Sequence, residues 1–346
     1  MLEPVHLFVH EDLTADQSAF GVDVLRHGRR FEHPCRFSSK TLRRHAKGCA
    51  MNSIWLDLLG AQVRYRGRKY KTRTIETGEQ HPNKLILIHG IGGHAEAYSR
   101  NMQRLGEQYH AISIDLLWHG LSSKPPVVPG RILPMYTEQI LDIFDDLGVE
   151  HGSIEGESLG GWVAMTAALN HPDRIDKIVL NTAAGIKWNR DEVKIDDAGG
   201  SNLLRERSLA AISNPNRETI RKRLEWLMAS PDRVTEELVD LRYAIYTRPD
   251  TNASLKEVFA HSFGSPLEKR IAEDDLKNIK APTLSLWSDK NPGAGEDAGE
   301  RLHKLIPGSS LYCIRDAAHW PQWEKPEEHD RAVLDFLSRK VAALSS

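Results

Sequence analysis

The sequence predicts an α/β protein built on a mostly parallel, doubly wound sheet, and three observations carry that prediction. From about residue 84 onward, strand-like apolar runs alternate with helix-like stretches in a βαβ rhythm. The run Lys84-Leu85-Ile86-Leu87-Ile88-His89 is continuously apolar, as expected of a strand buried on both faces. The pentapeptide Gly156-Glu157-Ser158-Leu159-Gly160 has the spacing of a sharp strand-to-helix turn that leaves a serine hydroxyl pointing outward.

The elements follow in order. Alternation over residues 53–60, 62–67 and 70–75 predicts antiparallel edge strands with one polar side. Further strands are expected at His110-Ala111-Ile112-Ser113-Ile114-Asp115, at Gly152-Ser153-Ile154-Glu155, and at Lys177-Ile178-Val179-Leu180-Asn181. Two more follow at residues 282–287 and 310–314. Helices are predicted over residues 137–147, over the stretch after Ser158 until His171-Pro172 stops it, and at the C-terminus around Ala332, Leu334, Phe336 and Leu337. Residues 185–266 break the rhythm. They are charged and helix-prone, especially 217–228 and 235–246, with prolines at 215, 231 and 249 and no buried-strand run. An all-helical lid inserted between two halves of a core, residues 51–184 and 267–346, accounts for this.

Residues 1–50 form a basic, weakly periodic extension without a clear apolar face. They read either as a partner-binding arm or as a loose tail upstream of a true start at Met51. The chain has 346 residues, 40% hydrophobic and 27% charged, with a formal net charge of −2. This balance gives no electrostatic reason to bind nucleic acid or anionic membrane. There is no apolar run of membrane-span length and no signal-peptide pattern. Cys35, Cys49 and Cys313 are odd in number and widely spaced, which fits a reduced cytoplasm better than a disulfide framework or a metal site.

Serine is a weak nucleophile until a base takes its proton and a third group orients that base. Ser158 is the nucleophile the turn suggests. Of the 16 histidines, His319 sits where a base belongs, in the loop after the last strand. Asp289 is the carboxylate nearest the end of the 282–287 strand, and it reads equally as a turn aspartate. Asn291 could orient an imidazole but would stabilise its charged form less well. Oxyanion N–H donors are expected from Leu159 and Ile91, with Gly90 and Gly92 letting the backbone approach a substrate. The same loop, Gly90-x-Gly92-x-x-Ala95, with Asp115 ending the next strand, also fits a dinucleotide-binding fingerprint. A dehydrogenase would leave the Gly156–Gly160 turn and His319 without a purpose.

From about Met51 to the C-terminus these residues resemble the α/β-hydrolase superfamily. Within it, Ala318-His319-Trp320-Pro321-Gln322-Trp323-Glu324 is similar to the segment around the catalytic histidine of meta-cleavage-product hydrolases, which cut a carbon–carbon bond in vinylogous diketo acids. The resemblance implies that Arg242, with Arg223 as second candidate, holds the substrate carboxylate, and that Trp320 walls the pocket. Two departures stand out. Glu157 occupies a place where the family has an amide, and its carboxylate would either repel an anionic dienoate or pair with Arg242. Asn291 occupies the place of the family's catalytic aspartate. The expected protein is therefore a serine-dependent hydrolase needing no cofactor and no metal, acting on a small molecule, with a homo-oligomer left open. A carboxylesterase or lactonase with the same triad, and a binding protein on an inactive scaffold, are the alternatives.

Overall fold

The computed structural model describes residues 53–262 and 269–339; the basic stretch 1–50 lies outside them. Ten strands follow in chain order: β1 Gln62–Arg66, β2 Thr72–Thr77, β3 Lys84–Ile88, β4 His110–Ile114, β5 Gly152–Glu157, β6 Ile175–Asn181, β7 Ile186–Lys187, β8 Ile271–Ala272, β9 Thr283–Ser288 and β10 Ser310–Ile314. Eight of them make one sheet in the order β1-β2-β4-β3-β5-β6-β9-β10. β1 and β2 join antiparallel, β2 meets β4 antiparallel, and every pair from β4 to β10 is parallel.

Burial on both faces explains the unbroken apolar run of β3. Leu85 and Leu87 pack into one apolar cluster, while Ile86 and Ile88 pack into another. Adjacent strand residues point to opposite faces, so one strand feeds two cores. Each such side chain contributes about 1.5–3 kcal/mol when fully buried.

One expected strand is absent. Residues 54–57 form a single helical turn, Ile54–Asp57, instead of an edge strand. Glu237, far along the chain, accepts from Ile54 N–H (2.8 Å) and from Ser53 Oγ (3.1 Å), satisfying donors that a helix start leaves open. Ile54 and Leu58, four residues apart, pack on an apolar cluster while Trp55 is 75% and Leu59 66% exposed, a helical and not an alternating pattern of burial.

The region between β6 and β9 is mainly helical: Leu203–Ser213, Arg217–Glu225, Glu236–Tyr246 and Pro249–Ser262. Asn216 and Thr235 cap two of these helices, each side chain accepting from first-turn N–H groups. The region also holds strand β7, which pairs in parallel with β8, so it is not purely helical as expected. It sits over the carboxyl ends of the central strands. Tyr246 Oη donates to Gly92 O (2.8 Å), Thr251 Oγ1 to Gly120 O (2.8 Å), and Ser254 Oγ to Trp118 O (2.7 Å). Among the described residues, no helix is long and apolar enough to cross a membrane.

Candidate active site

Ser158 stands alone between the end of β5 and the helix Leu159–Asn170. Its φ of 53° and ψ of −111° lie outside the ordinary regions for an L residue, a strain of the order of 1–3 kcal/mol. The turn is held from both sides. Ser158 N–H donates to Asn181 O (3.0 Å), and Trp162 and Ala184 N–H donate to Ser158 O (3.2 and 3.0 Å). The flanking glycines are sterically required. A Cβ on Gly156 would lie 2.1 Å from Gly160 C, and one on Gly160 would lie 2.2 Å from Ile88 O. Leu159 opens the helix, so its N–H has no intrahelical acceptor.

His319 lies in the loop after β10, and the residues around it each anchor that loop. Thr182 Oγ1 donates to His319 O (3.0 Å), and Ser288 Oγ donates to Ala318 O. Glu324 Oε1 accepts from Ala318 N–H (2.6 Å), while its Oε2 accepts from Ala229 N–H (2.8 Å) and Arg233 Nη1 (2.7 Å). Trp320 N–H donates to Leu227 O (3.1 Å). The segment from Ala318 to Glu324 therefore ties the histidine to the helical region above it. Trp226 from that region meets the imidazole edge-on, with ring centres 4.9 Å apart.

Asp289 does not orient the histidine. It is exposed, and its Oδ1 faces Ala317 N–H at 3.4 Å. Asn291 takes the position instead, with Oδ1 2.6 Å from His319 Nδ1. The backbone explains the exchange. Asp289 N–H donates to Ile314 O and Lys290 N–H to Ala317 O, so the chain keeps following β10 past the end of β9. Ser288 points inward, Asp289 outward, and Asn291 returns to the inside. Asn291 Nδ2 donates to Ala294 O (2.6 Å), which turns its Oδ1 toward the ring. The imidazole must then carry its proton on Nδ1, leaving Nε2 as an acceptor.

Glu157 is fully buried beside this imidazole. Its Oε2 accepts from Gly90 N–H (2.6 Å), and its Oε1 lies 3.2 Å from His319 Nε2 with no hydrogen-bond partner among the described residues. Burial pushes the Glu157 carboxyl up to about 8. Burial, with the nearby Arg223, pulls His319 down to about 3. Among the described residues Glu157 makes no salt bridge with Arg242, the partner its sequence position allowed.

Ser158, Glu157, His319, Trp320, Gly90 and Ile91 line one narrow cleft together with Arg223 and Arg242. Both arginines are buried in the helical region. Arg242 lies against Trp320 and Tyr246, its Cζ 5.5 and 5.7 Å from the ring centres. Its Nε and Nη2 have no hydrogen-bond partner among the described residues. The glycine loop is internally committed. Gly92 N–H donates to His119 Nε2 (3.1 Å) and Gly92 O accepts from Tyr246, so Gly92 fixes the loop and offers no free backbone polar group. Gly90 likewise spends its N–H on Glu157 and its O on His89 Nδ1 (2.6 Å). Asp115 is consumed structurally, accepting from Ala95 and Leu121 N–H (2.8 Å each) and pairing with Arg73. A ribose-binding role for it, and with it the dehydrogenase reading, has no free carboxylate to rest on. The position of Leu204, Leu227 and Trp226 around the cleft carried no signal in the sequence.

The model of the α/β hydrolase fold family matches residues 83–326. A 2-hydroxy-6-oxononadienedioate/2-hydroxy-6-oxononatrienedioate hydrolase of Pseudomonas sp. is 25% identical over 260 residues, 74% of this chain and 88% of that protein. A 2-hydroxy-6-oxo-6-phenylhexa-2,4-dienoate hydrolase of Comamonas testosteroni is 27% identical over 262 residues, again 74% of this chain and 88% of the relative. In structure, the 2-hydroxy-6-oxo-6-phenylhexa-2,4-dienoate hydrolase of a Rhodococcus species superposes with a TM-score of 0.69 at 21% identity, covering 81% of this chain and all (100%) of that one, a likeness of fold. With a matched model spanning most of the chain and the eight-stranded sheet, glycine-flanked serine turn and late histidine in place, the chain belongs to the α/β-hydrolase family.

Proposed function

We propose that this protein is a serine-dependent hydrolase that cleaves a carbon–carbon bond in a 2-hydroxy-6-oxo-dienoate. The observation that carries the reading is a buried guanidinium with unpaired donors, Arg242, in the same cleft as a strained serine and a histidine. Unpaired buried donors are costly, so a site that keeps them is built to receive an acceptor. A substrate carboxylate supplies it. The relatives are hydrolases of such dienoates, which supports the same chemistry here.

In this reading Arg242 holds the carboxylate and the ketone oxygen receives the Leu159 and Ile91 N–H groups. Ser158 attacks the ketone carbon or activates a water that does, with His319 Nε2 taking the proton. The carbon–carbon bond then breaks, its electron pair staying on the dienoate fragment, which takes up the proton from His319. Water completes the other fragment as a carboxylic acid. Asn291 holds the tautomer that leaves Nε2 basic, in the role expected of Asp289. Trp320 walls the cleft, and the helical region acts as its lid.

The test is a screen of ring-cleavage products against p-nitrophenyl esters. Dienoates of this kind absorb strongly, so turnover appears as loss of colour. The expected result is decay of the dienoate, reduced at least about 10³-fold in Ser158→Ala. Turnover of esters alone would make the protein an esterase with the same groups. Undiminished turnover in Ser158→Ala would remove the serine from the mechanism.

A further inference from the structure

A carboxyl group faces the basic nitrogen of the site, and the Ser158–His319 chemistry leaves it without a task. Glu157 ends β5, directly before the nucleophile, and is buried in the wall of the cleft. Its two oxygens are placed differently. Oε2 accepts from Gly90 N–H (2.6 Å), and a Cβ on Gly90 would lie 2.5 Å from it, so this loop has room for the carboxyl because residue 90 is glycine. Oε1 has no hydrogen-bond partner among the described residues and lies 3.2 Å from His319 Nε2. With Oε2 committed as an acceptor, a proton on this group belongs on Oε1. A buried polar group with nothing to bond is costly, which favours a use for that proton once substrate is bound. The other side of the ring makes a matching demand. Asn291 Oδ1 orients His319 Nδ1 at 2.6 Å, but an amide supplies no negative charge when the imidazole becomes protonated. Among the described residues, Glu157 is the one carboxyl within salt-bridge distance of His319.

We propose that Glu157 is a catalytic acid, which protonates the group leaving the substrate and is recharged by His319. The inference rests on Ser158 and His319 acting as proposed above, but not on which bond they break. Ser158 Oγ bonds to the carbonyl carbon, and its proton passes to His319 Nε2. The bond to the leaving group breaks, the electron pair goes with that group, and Glu157 Oε1–H gives it a proton. The new carboxylate stands 3.2 Å from the imidazolium and takes the proton from Nε2, which returns both groups to their starting state. Water then attacks the acyl-enzyme, its proton passing to Nε2 and from there to Ser158 Oγ as the acid leaves. For a dienoate the leaving group is protonated at carbon, so the proton it draws from His319 travels by way of Glu157. Burial sets the direction of the recharging step. It pushes the Glu157 carboxyl up to about 8, against the opposing pull of Gly90 N–H, Arg223 and Arg242. With Arg223, it pulls His319 down to about 3, so a proton on Nε2 runs to a vacant Oε1.

Leaving groups that differ in their need for a proton separate this role from a structural one. kcat/KM is measured at neutral pH for the wild type, Glu157→Gln and Glu157→Asp on a dienoate, and on the ethyl and p-nitrophenyl esters of one acid. Glutamine keeps the acceptor for Gly90 N–H and has no acid proton to give. It should lower turnover of the dienoate and the ethyl ester at least about 100-fold, the size of a lost general acid. The p-nitrophenyl ester, whose phenolate leaves without a proton, should stay within about threefold of the wild type and so reports an intact Ser158–His319 pair. Glu157→Asp keeps an acid and should recover part of the loss on the first two substrates. Equal losses on all three substrates in both variants, or an unchanged rate on the dienoate and ethyl ester in Glu157→Gln, overturn the catalytic-acid role. A wild type that leaves the dienoate intact, while Glu157→Gln still splits the two esters, keeps the acid and removes the carbon–carbon reading. A wild type that turns over none of the three overturns both.

Discussion

Replacing Glu157 by glutamine keeps the shape of the side chain and the acceptor for Gly90 N–H, but removes the titrating proton. In the folded protein burial holds this carboxyl up to about 8, against an ordinary value of 4.5. Below the ordinary value it is protonated whether folded or not, and folding is not penalised. Between the two values the unfolded chain releases the proton while the folded protein keeps it, so stability falls as pH rises. The slope is about 1.4 kcal/mol per pH unit, giving a loss of about 2 kcal/mol by about pH 6 and about 5 kcal/mol beyond about pH 8. Urea denaturation of wild type and Glu157→Gln across this range measures the difference directly. The variant should gain on the wild type steadily from about pH 5 to about pH 8 and then hold its advantage. Activity should follow a related course. Once ionised, Glu157 places a carboxylate in the cleft, 3.2 Å from His319 Nε2, where it repels an anionic substrate. The wild type should therefore lose kcat/KM above about pH 8, and Glu157→Gln should lack that limb. Parallel stability profiles for the two proteins between about pH 5 and about pH 8 would refute the buried neutral acid.

Asn291→Asp puts a carboxylate beside His319 Nδ1 and should raise the imidazole pKa by about 1–3 units, read from the ring proton shifts by NMR. An unmoved titration would mean that the side chain has turned away. Arg242→Met should lower kcat/KM on a dienoate acid by about 30-fold or more while affecting its methyl ester far less, the expected cost of removing one partner of a buried charge pair. Equal losses on acid and ester would place Arg242 outside carboxylate binding. Gly156→Ala forces a Cβ to 2.1 Å from Gly160 C, a backbone atom that cannot swing aside, and should destabilise by about 3 kcal/mol or more in urea. A loss under about 1 kcal/mol would mean the elbow is looser than described.

Several elements were legible in the sequence because their causes are local. The glycine spacing around Ser158 reflects contacts of a few residues' range, from Gly156 to Gly160, and any chain making that turn shows the same pattern. The apolar run of β3 reflects burial on both faces, which every residue of the strand reports. Residues 53–60 misled because alternation looks the same in a short exposed segment. What makes Ile54–Asp57 helical is Glu237, which no window around residue 54 contains. Asp289 misled for a related reason. It is the carboxylate nearest the strand end, but which of residues 288–291 turns inward depends on how long the loop follows β10.

By itself the sequence determined the fold class, the serine turn and the histidine after the last strand, since each follows from short-range sterics and burial patterns. Only the tertiary structure decided that Asn291 rather than Asp289 holds the imidazole, that Glu157 is an enclosed acid facing it, and that Arg223 and Arg242 are buried in the cleft, each with a donor lacking a partner among the described residues, rather than solvated on helix surfaces. A side chain's charge state and partners depend on what surrounds it in space. Here those surroundings come from a helical region and a loop that are distant along the chain.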